Sequence, residues 1–359
     1  MRINLKIYYA SVLISTFVGF SALSAQTVIE NPATPLARNA GRVLQLEEIW
    51  RITDESGEFY LKHPGNLKYA ADGSFFLTDE GQFLHFTAEA KFIKNIFKKG
   101  QGPGEIQQDF EYQLQGLEVF VIDYWASKMF RMDFDGNYLG SIGPPGKTRN
   151  DFLGVVGDDL VIMESEWPPA KNRTGKEMDI LHRYKFLSKD GRTEKEIYTF
   201  KQVSFLGPGY GRSMGASVAA LDEGSQKIFA CYGQEYRIDV LDIATSKIVI
   251  TFRRKYPRII RVENERIREF EKKYNMPKLE YEFDIRHLQC FSNRVWVMTS
   301  TSDKEKGSLY DIFDFSGRYL DCFYLGGNRI LLSVRGDFIF INESDTEGIN
   351  TVAKYRIIG

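Results

Sequence analysis

Few residues of this sequence have types and spacing suited to catalysis, and one pair of carboxylates is the first to consider. Glu164 and Glu166 are two positions apart, and paired carboxylates can act as acid and base in glycoside hydrolysis. Alternation along a strand would point both side chains to the same side, without fixing their separation across a substrate. The sequence has no CxxC motif and no Cys/His cluster with metal-ligand spacing. We therefore expect neither a metal nor a cofactor, and the sequence does not decide whether the protein is an enzyme.

The segment KKGQGPGE, Lys98 to Glu105, has the glycine content of a phosphate-binding loop. A dinucleotide-binding loop requires a third glycine at the position of Glu105, whose carboxylate would repel phosphate. A P-loop requires Gly-Lys-Ser/Thr, which does not follow here, and the next residues predict strands. We interpret the segment as a corner between two sheets, where glycine permits sharp turns.

Composition and charge exclude other classes of protein. The 359 residues include 47 Lys and Arg against 48 Asp and Glu, a formal net charge of −1, without a long single-sign block. A nucleic-acid partner would require a strong positive field, so we expect no nucleic-acid binding. Cys231, Cys290 and Cys322 lie in apolar segments. Buried free thiols are expected there, with a Cys231–Cys290 disulfide as the alternative.

The N-terminus predicts export from the cytoplasm. Arg2 and Lys6 form a short basic region before an apolar run, Ile7 to Phe20. The small residues of SALSAQT follow the run. This order is the pattern of a signal peptide. Cleavage is expected after Ser24 or Ala25. The run is short for a spanning helix, and no cysteine follows it for a lipid anchor. We expect a periplasmic or secreted protein with no stable membrane anchor after signal cleavage.

The elements that must position any site belong to one unit that recurs six times. Each copy has a β-rich run ending in a polar residue, a variable loop, a second run, a tight turn such as FDGN or FSGR, and a third run. Alternation as in FRMDF indicates strands with one buried face, and Asp-Gly and Ser-Gly pairs suit hairpins. The first runs are GSFFLTD, LEVFVID, DDLVIME, QKIFACY, NRVWVMT and GDFIFIN.

Six strand-rich units of similar size predict an all-β fold, a six-bladed β-propeller, because one four-stranded sheet cannot cover both of its own faces. The last unit ends in TVAKYRII, a third strand without a fourth, and Arg42–Trp50 precedes the first unit as an unpaired strand. We expect this N-terminal strand to close the last blade; two stacked β-domains are the alternative. The chain then divides into a signal peptide (1–25), an N-terminal linker (26–41) and a six-bladed β-propeller domain (42–359).

One segment departs from the strand pattern. Residues 262–276, VENERIREFEKKYNM, place Ile267, Phe270 and Tyr274 at helical spacing, and Pro277 ends the pattern. We expect one inserted helix over about 262–276, packed on the ring between blades 4 and 5. A lid or a partner-binding helix is the alternative.

A resemblance to a known family is carried by GQGPGEI followed by LEVFVID and KMFRMDFDGNYLGSI. This combination resembles the exported bacterial six-bladed β-propellers related to the NHL-repeat and TolB-like proteins, in which a Gly-rich turn precedes the innermost strand. The resemblance is strongest in blades 1 and 2. It implies the fold, whereas propellers host many activities. Lyases and lactonases of this kind hold a metal at the central axis, and the predicted inner strands NLKYAAD, FLGVVGD and RHLQCFS supply few ligands for one.

Loop length predicts which face of the propeller binds a ligand. The connections between blades, and those between the second and third strands, share one face, which we call the long-loop face. Its loops are long, whereas those of the opposite face are tight turns, and long loops on a rigid scaffold commonly carry binding residues. The candidate ligand-binding residues of this region are His63, Glu105, Tyr124, Trp125, Glu164, Glu166, Trp167, Arg173, Tyr210, Arg212 and Tyr232.

These residue types favour binding over catalysis, since aromatic rings and arginines are common anchors of binding surfaces. The first hypothesis is an exported, non-catalytic binding or scaffold propeller that recognises a glycan, a peptide or a protein on the long-loop face. The alternative is a hydrolase or lyase, with or without metal assistance. A purely structural role is the third hypothesis, and it predicts that the long-loop face has no ligand-sized depression.

Overall fold

The described strands form a six-bladed β-propeller, which confirms the fold predicted from the repeats. The computed structural model describes residues 26–53, 57–143, 149–192, 194–262 and 265–358, and the predicted signal peptide lies outside them. Within these ranges the strands make six sheets of four or five strands each. Among the described residues, none of the helices has the length and apolar character needed to cross a membrane.

Three N-terminal strands precede the blades, and each joins a different blade near the end of the chain. The first two blades then follow as four-stranded antiparallel sheets. The bounds of these strands are β1 (Thr27–Asn31), β2 (Arg42–Val43) and β3 (Leu46–Ile52); β4 (Gly65–Tyr69), β5 (Phe75–Asp79), β6 (Gln82–Phe86) and β7 (Phe92–Asn95) in blade 1; and β8 (Phe110–Gln115), β9 (Glu118–Asp123), β10 (Lys128–Asp133) and β11 (Tyr138–Ser141) in blade 2.

Blade 3 contains the longest strands, β14 and β15. Blade 3 has five strands of its own, with a short 3-10 helix, Ala170–Asn172, in its longest loop. The bounds are β12 (Arg149–Val156), β13 (Asp159–Glu166), β14 (Lys176–Ser188), β15 (Glu194–Gly207) and β16 (Tyr210–Ser213) in blade 3, and β17 (Val218–Asp222), β18 (Lys227–Cys231), β19 (Arg237–Asp242) and β20 (Lys247–Arg254) in blade 4.

The inserted helix separates blade 4 from blade 5, as predicted, and it is shorter than expected. It runs from Glu265 to Lys273, and none of its residues is buried. The bounds are α1 (Glu265–Lys273); β21 (Ile285–Phe291), β22 (Arg294–Asp303), β23 (Gly307–Asp314) and β24 (Tyr319–Tyr324) in blade 5; and β25 (Arg329–Arg335), β26 (Phe338–Ser344) and β27 (Asn350–Ile357) in blade 6.

The first strand of each blade lies at the centre of the ring. These strands contact one another in the order β4, β8, β12, β17, β21 and β25, and β25 contacts β4 again. Six buried apolar clusters fill the six interfaces between neighbouring blades. Strands such as β5 and β9 are covered on both faces, and they are therefore almost continuously apolar.

The ring is closed by pairing the beginning of the chain with its end. β3 pairs antiparallel with β27, from Ile52 opposite Val352 to Leu46 opposite Ile357. The Trp50 ring stacks on Phe75 of blade 1, with ring centroids 5.5 Å apart. The predicted closure is confirmed, with the strand displaced by a few residues towards blade 1.

The segment 26–41, which the sequence analysis treats as a linker, contains a strand and must be corrected on that point. β1 pairs in parallel with β20 as a fifth strand of blade 4, and β2 pairs in parallel with β24 of blade 5. The Asn31 amide donates to Gly317 O at 2.8 Å and accepts from Tyr319 N at 2.9 Å. The N-terminal segment therefore joins blades 4, 5 and 6 before it closes the ring.

The three cysteines are free thiols. Cys231 and Cys322 are buried and Cys290 is half-buried. Burial raises the pKa of the Cys231 thiol to about 11, so this group remains protonated at neutral pH.

Candidate functional site

The long-loop face is uneven because blade 3 extends beyond the ring. β13 pairs with β14 as far as Glu166 opposite Leu181, whereas β14 and β15 continue to pair until Lys176 opposite Leu206. β16 adds a third strand to this part of the blade. We call residues 176–180 and 202–213 the blade 3 extension, and it forms a wall beside helix α1.

Buried aspartates hold the loops of this face in blades 1 and 2. Asp79, at the end of β5, accepts hydrogen bonds from Lys62 N at 2.7 Å and His63 N at 2.9 Å. Asp123, at the end of β9, accepts from Gln107 N at 2.9 Å and from the main-chain N–H groups of the loop that follows β9. Asp79 and Asp123, which end their strands, therefore hold the loops that carry the candidate residues His63 and Trp125.

The KKGQGPGE segment forms a turn that closes on its own carboxylate. Gly102 N donates to Glu105 Oε2 at 2.7 Å. A Cβ atom at Gly100 would lie 2.0 Å from the same oxygen, so glycine is required for the close approach. The carboxylate of Glu105 fills the concave side of the loop, which a phosphate would otherwise occupy.

Two exposed tryptophans lie in separate loops of the long-loop face. Trp125 is 62% exposed, and its Nε1–H donates to Asp109 Oδ2 at 3.1 Å. Trp167 is 46% exposed, and the Arg173 guanidinium lies over its ring at 5.9 Å. Both rings are held by a polar neighbour while they keep a surface open to solvent, which suits stacking on a ligand.

A cavity opens at the end of the ring axis where the inner strands begin, which is the end of the long-loop face. It has a volume of about 290 Å³, and we call it the axial cavity. Polar and apolar side chains line it together, and the polar groups make up the larger share of its surface. The polar and aromatic residues that line it are Glu111, Asp151, Tyr184, Ser217, Tyr232 and His287.

Two carboxyl groups of the axial cavity come from neighbouring blades. Burial raises the pKa of the Glu111 carboxyl, and the charge of Asp151 raises it further, while Lys68 opposes this shift. Phe152 N donates to Glu111 Oε2 at 2.8 Å, and Tyr124 Oη donates to Asp151 Oδ1 at 2.8 Å. Glu111 therefore keeps its proton to a higher pH than an ordinary glutamate does.

Two tyrosines, Tyr184 and Tyr232, also line the axial cavity. The hydroxyls of Tyr184 and Tyr232 lie 2.5 Å apart, and burial raises the pKa of both phenols. His182 stacks on the Tyr232 ring with centroids 4.6 Å apart, and its Nε2 lies 3.0 Å from Gln202 Oε1. This buried histidine fixes the orientation of the Tyr232 ring.

A second cavity of about 850 Å³, the lower cavity, continues along the axis and shares His287 and Leu288 with the first. Lys68 Nζ donates to Gln113 Oε1 at 2.5 Å, and Gln113 Nε2 donates to Glu223 Oε1 at 3.2 Å. Burial lowers the pKa of Lys68 to about 8, although Glu111 and Glu223 oppose the shift. A Cβ atom at Gly154 would lie 2.6 Å from Glu223 Oε1, so glycine lets this carboxylate enter the channel.

His287 projects into both cavities from the inner strand β21. Its side chain remains accessible from the channel, yet the surrounding inner strands lower the pKa of its imidazole by desolvation. A neutral imidazole of this kind can both donate and accept a hydrogen bond.

The carboxylates considered for catalysis, Glu164 and Glu166, lie away from the axial cavity lining. Glu164 forms an ion pair with Lys185. Arg183 Nη2 lies 2.6 Å from Glu166 Oε2. Both ion pairs join strands β13 and β14, so these carboxylates have structural partners within blade 3.

Two further candidates, Tyr210 and Arg212, lie on the blade 3 extension against α1. The Tyr210 and Tyr274 rings have centroids 4.1 Å apart, and Arg212 forms an ion pair with Glu271 of the helix. Arg212 also lines a groove of about 590 Å³ beside α1, which we call the α1 groove. These two residues thus belong to a region distinct from the axial cavity.

The segment GRSMG, Gly211 to Gly215, matches the G-x-S-x-G pattern of serine hydrolases. Ser213 lies at the end of the strand β16, whereas that motif requires a sharp turn from a strand into a helix. In the described part of the chain, no histidine is hydrogen-bonded to Ser213. We assign it no nucleophilic role.

The structure brings some of the predicted site residues together and leaves others apart. Tyr232 lines the axial cavity, and Tyr124 is hydrogen-bonded to Asp151 of its lining. Arg212 lines the α1 groove, and Tyr210 packs nearby against Tyr274. Sequence reasoning misses four charged residues that lie in or next to the inner strands: Lys68, Glu111, Asp151 and Glu223. A charged residue within a strand predicted to lie at the axis is the signal that could have found them, as in FEYQLQ of β8.

The described residues present no evident site for a metal ion. No group of three or more His, Cys, Asp or Glu side chains in these ranges is arranged to hold a metal ion.

The sequence of this chain is similar to one known family over part of its length. A family model described as a 6-bladed beta-propeller, DUF5128, matches residues 53–189, which span blades 1 and 2 and most of blade 3. A search of the curated proteins found no match.

Solved structures show the same architecture over most of the chain. A Bacteroides fragilis NCTC 9343 protein, described as a candidate for export, aligns with a TM-score of 0.57 at 13% identity, over 93% of this chain and 100% of that one. A member of the duf4221 family from Bacteroides vulgatus ATCC 8482 aligns with a TM-score of 0.52 at 9% identity, over 89% and 99%. At these identities the likeness shows the fold, and the chain is a six-bladed β-propeller.

Proposed function

We propose that this protein is an exported, non-catalytic binding propeller that recognises the end of a glycan in the axial cavity. One observation carries the proposal: a cavity of ligand size lies at the long-loop end of the axis and combines carboxyl, phenol and hydroxyl groups. Carboxylates accept hydrogen bonds from sugar hydroxyls, and hydroxyl groups such as those of Tyr232 and Ser217 can both donate and accept them. The volume of about 290 Å³ is at the lower end for ligand pockets, which suits one or two sugar units.

The surrounding loops support a longer ligand than the cavity alone could hold. Trp125 and Trp167 keep exposed ring surface on the same face, and exposed aromatic rings stack on sugar rings. A peptide or protein ligand would use the same aromatic anchors. The axial carboxyl groups favour the glycan, because they face a ligand rich in hydrogen-bond donors.

A glycan array tests this function directly. The wild-type protein is expected to bind a restricted set of glycans, without releasing products. Trp125→Ala and Trp167→Ala should each weaken that binding by about tenfold, the usual effect of removing an aromatic anchor. Leu117→Ala is the matched control, since this exposed side chain lies in a tight turn on the opposite face. If no glycan binds, or if the control weakens binding equally, the proposal fails.

A hydrolase or lyase is the second candidate, favoured by the carboxyl pair in the axial cavity. Glu111 holds its proton more tightly than usual, while Asp151 lies beside it with a tyrosine as partner. Two carboxyl groups in different environments can act as acid and base. A screen of chromogenic glycosides decides between the candidates, because turnover that disappears in Glu111→Gln would replace the binding function with catalysis. A stoichiometric divalent ion in the purified protein would also favour the enzyme.

We also infer that residues 1–25 direct export and are removed. The B. fragilis protein of similar fold is described as a candidate for export, which is consistent with this inference. Mass spectrometry of the protein from its own host should show a mature chain that begins at Ala25 or Gln26. A mature chain that retains the apolar run would contradict it.

A further inference from the structure

We propose that the α1 groove is a second binding site, which takes an acidic segment of a partner protein through the guanidinium group of Arg212. The groove has a volume of about 590 Å³, and both Arg212 and Glu271 line it. A smaller cavity of about 210 Å³ adjoins it and shares Arg212 and Arg261. The site is separate from the axial cavity and does not depend on the glycan proposal.

Arg212 has unused donors in a buried position. Its Nη1 forms the ion pair with Glu271, while its Nε and Nη2 are buried and have no hydrogen-bond partner among the described residues. Those two nitrogens form one edge of the guanidinium plane, the edge that binds a carboxylate with two parallel hydrogen bonds. A buried charged donor without a partner is unfavourable, so a ligand carboxylate on this edge would stabilise the site.

The charge around the groove selects an acidic partner. Residues 253–286 include eleven Lys and Arg against seven Asp and Glu, in a chain whose formal net charge is −1. Arg261, Arg266 and Lys273 line the groove together with Arg212. The groove is therefore a local basic region on an otherwise acidic molecule, and it would steer an acidic segment towards Arg212.

Apolar side chains beside the basic ones indicate a peptide rather than a free small anion. Ile267 and Phe270 line the groove, and Phe270 is 44% exposed. Ile260 and Val262, which are 70% and 88% exposed, precede the helix. Exposed apolar residues next to arginines are typical of protein interfaces.

In the absence of a partner protein, Glu271 forms the ion pair with Arg212. The helix that carries it has no buried residue, so moving α1 would disrupt few contacts. A partner carboxylate would bind the free edge of Arg212 or replace Glu271. Removing the charge of Glu271 should therefore strengthen binding, whereas a merely structural ion pair would give no such gain.

Fluorescence anisotropy on the mature protein tests this site, with a fluorescein-labelled peptide of alternating glutamate and leucine as the probe. The wild-type protein should bind it saturably and should not bind the same peptide with glutamine in place of glutamate. Arg212→Lys keeps the positive charge but removes the two-nitrogen edge, and it should weaken binding about tenfold. Glu271→Gln should strengthen binding several-fold. Arg192→Lys is the control, since this exposed arginine lies on the opposite face.

Three results would overturn the proposal. The first is the absence of saturable binding of the glutamate peptide to the wild-type protein. The second is equal affinity of the wild type and Arg212→Lys, with circular dichroism showing both folded. The third is binding of phosphatidylglycerol vesicles, but not of the peptide, in a manner that depends on Arg212, which would assign the groove to a membrane surface.

Discussion

At the scale of residues, the buried polar groups of this propeller divide into those that stabilise the blades and those that face the axis. Asp311 belongs to the first kind. It is fully buried between blades 4 and 5, where it accepts hydrogen bonds from Tyr236 at 2.8 Å and Tyr319 at 2.7 Å and pairs with Arg254. Glu111 belongs to the second kind, since its surroundings leave it accessible to a ligand in the axial cavity.

His85 provides a residue-scale prediction about pH. It is buried against Phe76, with ring centroids 4.1 Å apart, and neither of its ring nitrogens has a hydrogen-bond partner among the described residues. Burial lowers the pKa of its imidazole, although Asp72 opposes the shift. Below an unfolded pKa of about 6.5, the unfolded chain binds a proton that the folded chain excludes, so acid favours unfolding.

We therefore expect the free energy of unfolding to fall as the pH falls below about 6.5. Each pKa unit of difference between the folded and unfolded states corresponds to about 1.4 kcal/mol. His85→Leu should make the decline between pH 7.5 and 5.5 shallower, whatever its effect at neutral pH. Urea denaturation at the two pH values measures this, and an identical decline in both proteins would contradict the assignment.

At the scale of elements, the N-terminal segment has two separable tasks. β1 adds a fifth strand to blade 4 and β3 supplies the fourth strand of blade 6. Loss of β1 removes strand pairing and the Asn31 hydrogen bonds but leaves every blade with four strands. Loss of β3 exposes the edge of β27 and opens the ring between blades 6 and 1.

Two truncations separate these tasks. A chain that lacks residues 26–31 should fold and lose a few kcal/mol of stability, and Asn31→Ala alone should account for about 1–3 kcal/mol of this. A chain that lacks residues 26–52 should not unfold cooperatively, because its ring cannot close. Guanidinium denaturation followed by tryptophan fluorescence distinguishes them. Wild-type stability in the longer truncation would show that β3 does not close the ring.

At the scale of the whole molecule, the repeats predict the fold because each blade is a local unit with its own turns and apolar runs. The closing strand is also predictable, since the last unit visibly lacks a strand. β1 is not predictable, because its partners, such as Ile250 for Thr27, lie far away in sequence. No local pattern shows that a short segment will add to a distant sheet edge.

The candidate site is only partly predictable for the same reason. Loop length selects the exposed rings of Trp125 and Trp167 as candidates, but part of the sequence read as long loops is strand, as in β16. The axial cavity depends instead on single polar residues from separate inner strands, such as Glu111 and Asp151, which meet only when the ring closes. A sequence motif cannot show this convergence, because each residue taken alone has the pattern of an ordinary strand.

The measurement that most directly tests the account is isothermal titration calorimetry with the best glycan from the array, on the wild-type protein and on Glu111→Gln and Tyr232→Phe. The account predicts one site per chain and a loss of about tenfold or more in affinity for each variant, because each removes a hydrogen-bonding group of the axial cavity. Unchanged affinity in both folded variants would contradict it, since the glycan would then bind elsewhere.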